Sequence, residues 1–220
     1  MAGRKKYDID LPDVDPNGIA EAQQLVGAGD VVLDGALCDT GTAAQFDIGD
    51  AYSAGVGGVI ASITCAADIS GVDFTITGKN QDGADVTEVV TGPAATTVQS
   101  STYWKQITQI AADGAVGTDI TIGTVDEVST PTYCLNQYTT EPAGLAVAGL
   151  SGTIQFDMQE TYDNVIAVGS AASNWIDNQT NKTANLTAQA SPHAMGIRLR
   201  VDSYSSGAEL QFYVSDEPMR

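Results

Sequence analysis

The segment Asp13-Val-Asp15-Pro-Asn17-Gly18-Ile-Ala-Glu21 could hold a cation. It sets oxygen donors at the first, third and fifth positions of a calcium-loop pattern and glycine at the sixth. A hard cation needs that density of oxygen, and glycine supplies the turn. Two departures weigh against the ion. Position twelve is Gln24, where a bidentate glutamate would close the shell, and Pro16 stiffens the loop. An acidic Pro/Gly turn is the preferred reading, and calcium on Asp13, Asp15, Asn17 and Glu21 is the alternative.

Other chemistry is thinner. His193 is the only histidine, in Ser191-Pro192-His193, and no Gly-x-Ser-x-Gly elbow accompanies it, so a nucleophilic triad has no readable frame. Acidic residues abound, but no segment places two acids on one strand face beside an aromatic platform, apart from Asp73 near Phe74, and surface solubility is the plainer account. Gly27-Ala-Gly29-Asp30 is not followed by a convincing helix, and no Gly-Lys-Ser/Thr occurs, so a phosphate cradle is not expected. Cys38, Cys65 and Cys134 are odd in number and widely spaced. They suit buried free thiols better than a zinc site or a disulfide framework, and nothing supports a Cys38–Cys65 bridge. The expectation is a chain without catalytic residues or a required cofactor.

Charge says more. Nine basic residues against 28 acidic ones leave −19 among 220 residues, with a pI near 4.1. Such a surface repels phosphate, which argues against a nucleic-acid partner. No apolar run approaches the roughly 18 residues that span a bilayer, so no membrane partner is expected. Only 17% of residues are charged, with small polar residues filling the space, so this is not a disordered acidic tail. The distribution is uneven: Arg4, Lys5 and Lys6 form a basic knot, and the stretch from Tyr7 to Gly78 carries twelve acids and no base. A basic end ahead of an acidic third suits docking on a partner, with Arg4, Lys5, Lys6 and Tyr7 as the contacting residues; a solvated, self-repelling surface is the plainer account. Behind the basic start comes Tyr-Asp-Ile-Asp-Leu-Pro-Asp and no apolar core of a secretory leader, so folding in a cytoplasm is expected. On that basis the sequons at Asn178, Asn181 and Asn185 reflect composition.

The elements that would position these residues are strands. Residues 1–27 read as an N-terminal arm, kept from forming a long helix by Pro12 and Pro16, with a short helix over Ile19–Val26 capped by Asn17. From Asp30 the apolar period becomes two, giving strands at 30–37, 44–48, 58–65, 73–78, 86–91, 97–110 and 119–125. Asn80-Gln-Asp-Gly83 turns the clearest hairpin, and the 97–110 strand is long enough to expect a break near Thr102 or Gln106. Residues 128–142 read as a linker. Beyond it, strands are expected at 152–158, 165–168, 186–189, 194–204 and 209–214, with an irregular loop starting at 174–177 and Ser205-Ser206-Gly207 as a hairpin turn. The fold class is all-β: an arm over 1–27 and two small antiparallel sandwich or barrel units, Ig-like or jelly-roll-like, over 28–130 and 131–220.

Three segments of this chain resemble a group of tailed-bacteriophage virion proteins. The first runs Ile63-Thr-Cys-Ala-Ala-Asp-Ile-Ser-Gly-Val-Asp-Phe-Thr-Ile-Thr-Gly-Lys-Asn-Gln-Asp-Gly-Ala-Asp-Val-Thr-Glu-Val-Val-Thr-Gly-Pro93. The second is Thr102-Tyr-Trp-Lys-Gln-Ile-Thr-Gln-Ile110, and the third is Asp119-Ile-Thr-Ile-Gly-Thr124. The C-terminal part adds Gly152-Thr-Ile-Gln-Phe156, Trp175, Thr183-Ala-Asn185 and Gly196-Ile-Arg-Leu-Arg-Val201, so the likeness spans about residues 28–215. These are strand-turn motifs and carry over no active site. The resemblance implies a head decoration, or cement, protein that binds the outside of the capsid, with the major capsid protein and further copies of itself, such as a trimer, as partners. A tail-side structural protein (tube, nozzle, collar or fibre base) is the alternative. A carbohydrate-binding module stacking sugars on Tyr103, Trp104 or Trp175 is a further one.

Overall fold

The computed structural model describes residues 4–39, 44–135, 142–169 and 172–215. The regular structure is almost all β, with 62% of residues in strands and 4% in helix, as the period of two requires. In order the strands are β1 (Arg4–Leu11), β2 (Ala20–Leu25), β3 (Gly29–Asp30), β4 (Cys38–Asp39), β5 (Gln45–Asp47), β6 (Gly58–Cys65), β7 (Asp73–Asn80), β8 (Asp85–Thr91) and β9 (Thr97–Ala112). There follow β10 (Val116–Ser129), β11 (Tyr133–Cys134), β12 (Gly144–Ser151), β13 (Ile154–Thr161), β14 (Ile176–Lys182), β15 (Leu186–Gln189), β16 (Gly196–Tyr204) and β17 (Ala208–Ser215). Two four-residue helical turns, α1 (Ile48–Ala51) and α2 (Val165–Val168), are the only helices among the described residues.

Two compact units result, and neither is a continuous stretch of chain. One comprises Met1–Asp13, Tyr52–Gly57 and Asp126–Arg220; the other comprises Val14–Ala51 and Gly58–Val125. The division expected at residues 27 and 130 therefore does not describe the molecule. Its error lies in the N-terminal arm. Residues 4–11 are β1, paired residue for residue with β17 from Arg4 opposite Ser215 to Leu11 opposite Ala208. Tyr7, Ile9 and Leu11 are buried on one face of it. A segment that alternates so cleanly gains more from a sheet than from solvent, and its partner lies at the far end of the chain.

In the first unit, β1, β17, β12 and β15 form an antiparallel sheet in that order. A second sheet sets β13 between β14 and β16, with β11 and the last residues of β10 also paired to β16. Each sheet buries an apolar face: Ile9, Leu11, Leu145, Leu210 and Phe212 on one, Phe156, Met158, Ile197 and Leu199 on the other. In the second unit β9 is the hub, pairing with β3, β5, β6 and β7. The hairpin β7–β8 forms as expected, with Gly83 at φ 81° and the Asn80 side-chain oxygen accepting from the Asp82 and Ala84 amides. Trp104, Phe46, Phe74, Ile76, Ile107 and Ile110 are fully buried there.

Several local expectations change. Residues 20–25 form β2, not a helix: the segment has good helix formers, but pairing with β10 overrides propensity. Across from it only Gly29–Asp30 is a ladder strand, although Val31 and Leu33 stay buried and Val32 exposed. The Gln23 side chain takes the place of a ladder rung, donating to the Val32 carbonyl and accepting from the Val32 amide, both at 2.9 Å. Residues 165–168 form the turn α2 because the Asn164 side chain accepts from the Ala167 amide. Where an irregular loop is expected to start, at 174–177, the chain is already strand from Ile176, the first residue of β14, and the expected linker holds the end of β10 and β11, with 136–141 outside the described residues. The break expected in 97–110 is present as register shifts within one continuous β9.

Candidate functional site: the basic end of strand β1

β1 is an edge strand of its sheet. Its alternation sends Tyr7, Ile9 and Leu11 inward and leaves Arg4, Lys6, Asp8 and Asp10 exposed. Tyr7 is thus a core residue and not part of a docking surface: it is buried, and its ring stacks on Phe212 with centroids 6.0 Å apart. Lys5 stands over that ring with Nζ 5.3 Å from the centroid. Lys6 Nζ pairs with Asp8 Oδ1 at 2.5 Å, and that hydrogen bond raises the Lys6 pKa. Arg4 and Lys5 have no ion pair among the described residues. Both line a cleft of about 880 Å³, together with Leu145, Gln189, Tyr213 and Val214.

The free edge of β1 is divided. Ser53 Oγ donates to the Asp8 carbonyl at 2.9 Å and accepts from the Asp10 amide at 2.8 Å. Behind it Gly55 comes so close that a Cβ there would lie 2.0 Å from the Asp8 oxygen. The segment Tyr52–Gly57 therefore covers the acidic half of the edge. By the two-residue period of a strand, the Arg4 and Lys6 amides and carbonyls also face outward, and no described residue bonds them. Neither Ser53 nor Gly55 was legible as part of this site, because nothing local to them points to residues 8–10.

Among the described residues, the donors of the calcium alternative form a hydrogen-bonded turn. The Asp15 Oδ1 accepts from the Asn17 amide at 3.2 Å, and the Gly18 amide bonds back to the Asp15 carbonyl, which makes a closed turn. Asn17 directs its side-chain N–H, not its oxygen, at Glu21 Oε2, 2.5 Å away. Asp13 is exposed. No group of three His, Cys, Asp or Glu side chains among the described residues is arranged to hold a metal ion. Asp73 accepts from the Thr91 hydroxyl, and His193 lies exposed in a turn at φ 68°. Two of the three residues proposed for sugar stacking are unavailable, since Trp104 is fully buried and Tyr103 nearly so. Trp175 already carries the Arg198 guanidinium 4.2 Å from its ring centroid.

A polar cluster joins β13 and β16. Arg200 binds Asp157 at 2.5 Å and Asp202 at 2.6 Å, and Asp157 also accepts from the Asn181 amide. Burial lifts the Asp202 pKa to about 6; Arg200 opposes that rise and Asp157 adds to it. Glu160, buried, accepts from the Asn178 side chain, the Ser191 amide and the Tyr162 hydroxyl. Every carboxylate here is matched to donors, so the cluster fastens loops to the sheet. The alternation of Arg198, Arg200 and Asp202 was visible in the sequence; their partners were not.

No family model matches this chain, and no curated protein matches it.

Proposed function

We infer that the chain is a non-enzymatic structural subunit of a tailed-phage virion that binds the outer capsid surface and cements it. The observation that carries this reading is the exposed Arg4–Lys6 knot on an edge strand of a protein with net charge −19. It gives an acidic particle coat one place that attracts a partner of its own sign. The strand-turn motifs that resemble phage virion proteins fall on β6 to β10 and on β13 and β16, which are the framework of the two units. The two half-buried sheets of the first unit suit a sandwich, the architecture that the strand spacing leads one to expect.

Cementing needs no reaction. A subunit that binds the assembled lattice and not loose capsid protein stabilises the shell by mass action. Repetition over many identical sites makes modest affinity at each sufficient. The major capsid protein is the partner, with other copies of this chain, as a trimer at a shell three-fold axis, as neighbours.

The test is charge reversal, because deleting the first 24 residues would remove β1 and β2 with the charges. R4E/K5E/K6E protein is mixed with purified capsids and bound copies are counted by electron microscopy. Sharply reduced occupancy is expected, with wild-type protein present in hundreds of copies on the head. Unchanged occupancy ends the reading, and six or twelve copies at the neck or tail replace it with the tail-side one.

A further inference from the structure

We propose that the basic half of β1 is an acceptor for strand addition, taking an acidic, extended segment of a partner polypeptide onto its open edge. The inference rests on the reading of β1 as the partner-binding element. Two kinds of group converge there. The outward backbone groups of Arg4 and Lys6 supply the rungs of a new ladder pair. Arg4 and Lys5, exposed on that edge strand at one end of an 880 Å³ cleft that runs across β17 and β12 to β15, supply charge for carboxylates on the incoming strand. Natural edges are covered, bulged or charged, and among the described residues this one is covered only where it is acidic.

A second copy of the chain fits poorly. Two β1 strands running antiparallel about Tyr7 would match Arg4 with Asp10 and Lys6 with Asp8, a complementary register. That register is closed, because Ser53 holds the Asp8 carbonyl and the Asp10 amide and Gly55 packs against Asp8. The register left open, centred on Lys5, sets Arg4 against Lys6 and is repulsive. With β1-to-β1 pairing disfavoured and the edge basic, the occupant assigned is an acidic segment of another protein.

The probe is the peptide acetyl-Glu-Val-Glu-Val-Glu-Val-amide, titrated into the full-length protein while amide exchange is followed. Binding is expected to slow exchange at the Lys6 amide and to weaken with salt. Methylating the peptide's edge-facing amides should weaken binding about tenfold or more, and K6P, which removes a donor facing away from β17, should do likewise. A lysine-for-glutamate peptide should not bind. Equal binding by the N-methylated peptide, or an unprotected Lys6 amide, reduces the contact to charge alone and overturns the proposal, as does no binding at all. Protection at Lys6 that rises with protein concentration in the absence of peptide assigns the edge to a second copy and also overturns it. If the peptide results hold while R4E/K5E/K6E protein still fills capsids, the capsid reading fails and strand addition stands.

Discussion

The Arg200 guanidinium holds the buried Asp157 carboxylate at 2.5 Å while its Nε reaches Asp202 at 2.6 Å, so one cation serves two acids. The arrangement leaves Asp202 short of positive charge, and burial favours its protonated form.

This gives a signed pH dependence. The folded-state pKa of Asp202, about 6, lies above its ordinary value, so the folded protein binds this proton more tightly than the unfolded chain. The stabilisation is complete below the ordinary carboxylate range and is lost as pH rises through about 6. Asp202→Asn removes that loss. Urea unfolding of both proteins should show the variant gaining on wild type between acid and neutral pH, by on the order of 1 kcal/mol after solvent screening. Parallel pH profiles would refute the assignment.

Gly55 is required by its approach to the Asp8 carbonyl. Gly55→Ala should push Tyr52–Gly57 off β1 and cost about 1–3 kcal/mol in thermal unfolding, with faster exchange at the Asp10 amide. Ser53→Ala should speed the same exchange and cost about 1 kcal/mol, because only its hydrogen bonds are lost. A Gly55→Ala protein as stable as wild type would show that the segment does not need this contact.

Glu88 ties β8 to an irregular part of β9. Its carboxylate accepts from the Ser101 amide at 2.6 Å, the Ser101 hydroxyl at 2.9 Å and the Thr102 amide at 3.0 Å. Glu88→Ala should cost about 1–3 kcal/mol, and Glu88→Gln less, since the amide keeps one acceptor. Chemical denaturation compares them, and an exposed-residue effect within a few tenths of a kcal/mol would contradict the bracing role.

The thiols should separate by reactivity. Cys134 is exposed, Cys65 is buried, and Cys38, which donates to the Ile19 carbonyl at 3.1 Å, has its thiol pushed up to about 11, chiefly by burial. Maleimide labelling of native protein near neutral pH, read by mass spectrometry, should modify Cys134 first and Cys38 slowly, with Cys65 reacting on unfolding. Early modification of Cys65 would place it wrongly in the core.

Much of this molecule was settled by local chemistry. Phe74 and Ile76 alternating with Thr75 and Thr77, followed by Asn80 to Gly83, determine a hairpin, because side-chain period and turn geometry act between neighbours. The same logic marked Ile197, Leu199 and Val201 as a half-buried strand, and the spacing of Arg4, Lys5 and Lys6 as a basic knot. What local chemistry could not decide was pairing. β1 meets β17 across nearly the whole chain, Gln23 substitutes for a strand rung opposite Val32, and Ser53 seals Asp8 and Asp10. Each of these contacts joins residues whose types carry no mark of one another, and they form only because burying the apolar faces of distant strands outweighs the entropy of closing the loops between them. Tertiary structure therefore decided that the basic knot lies on the half of a strand edge that no described residue covers.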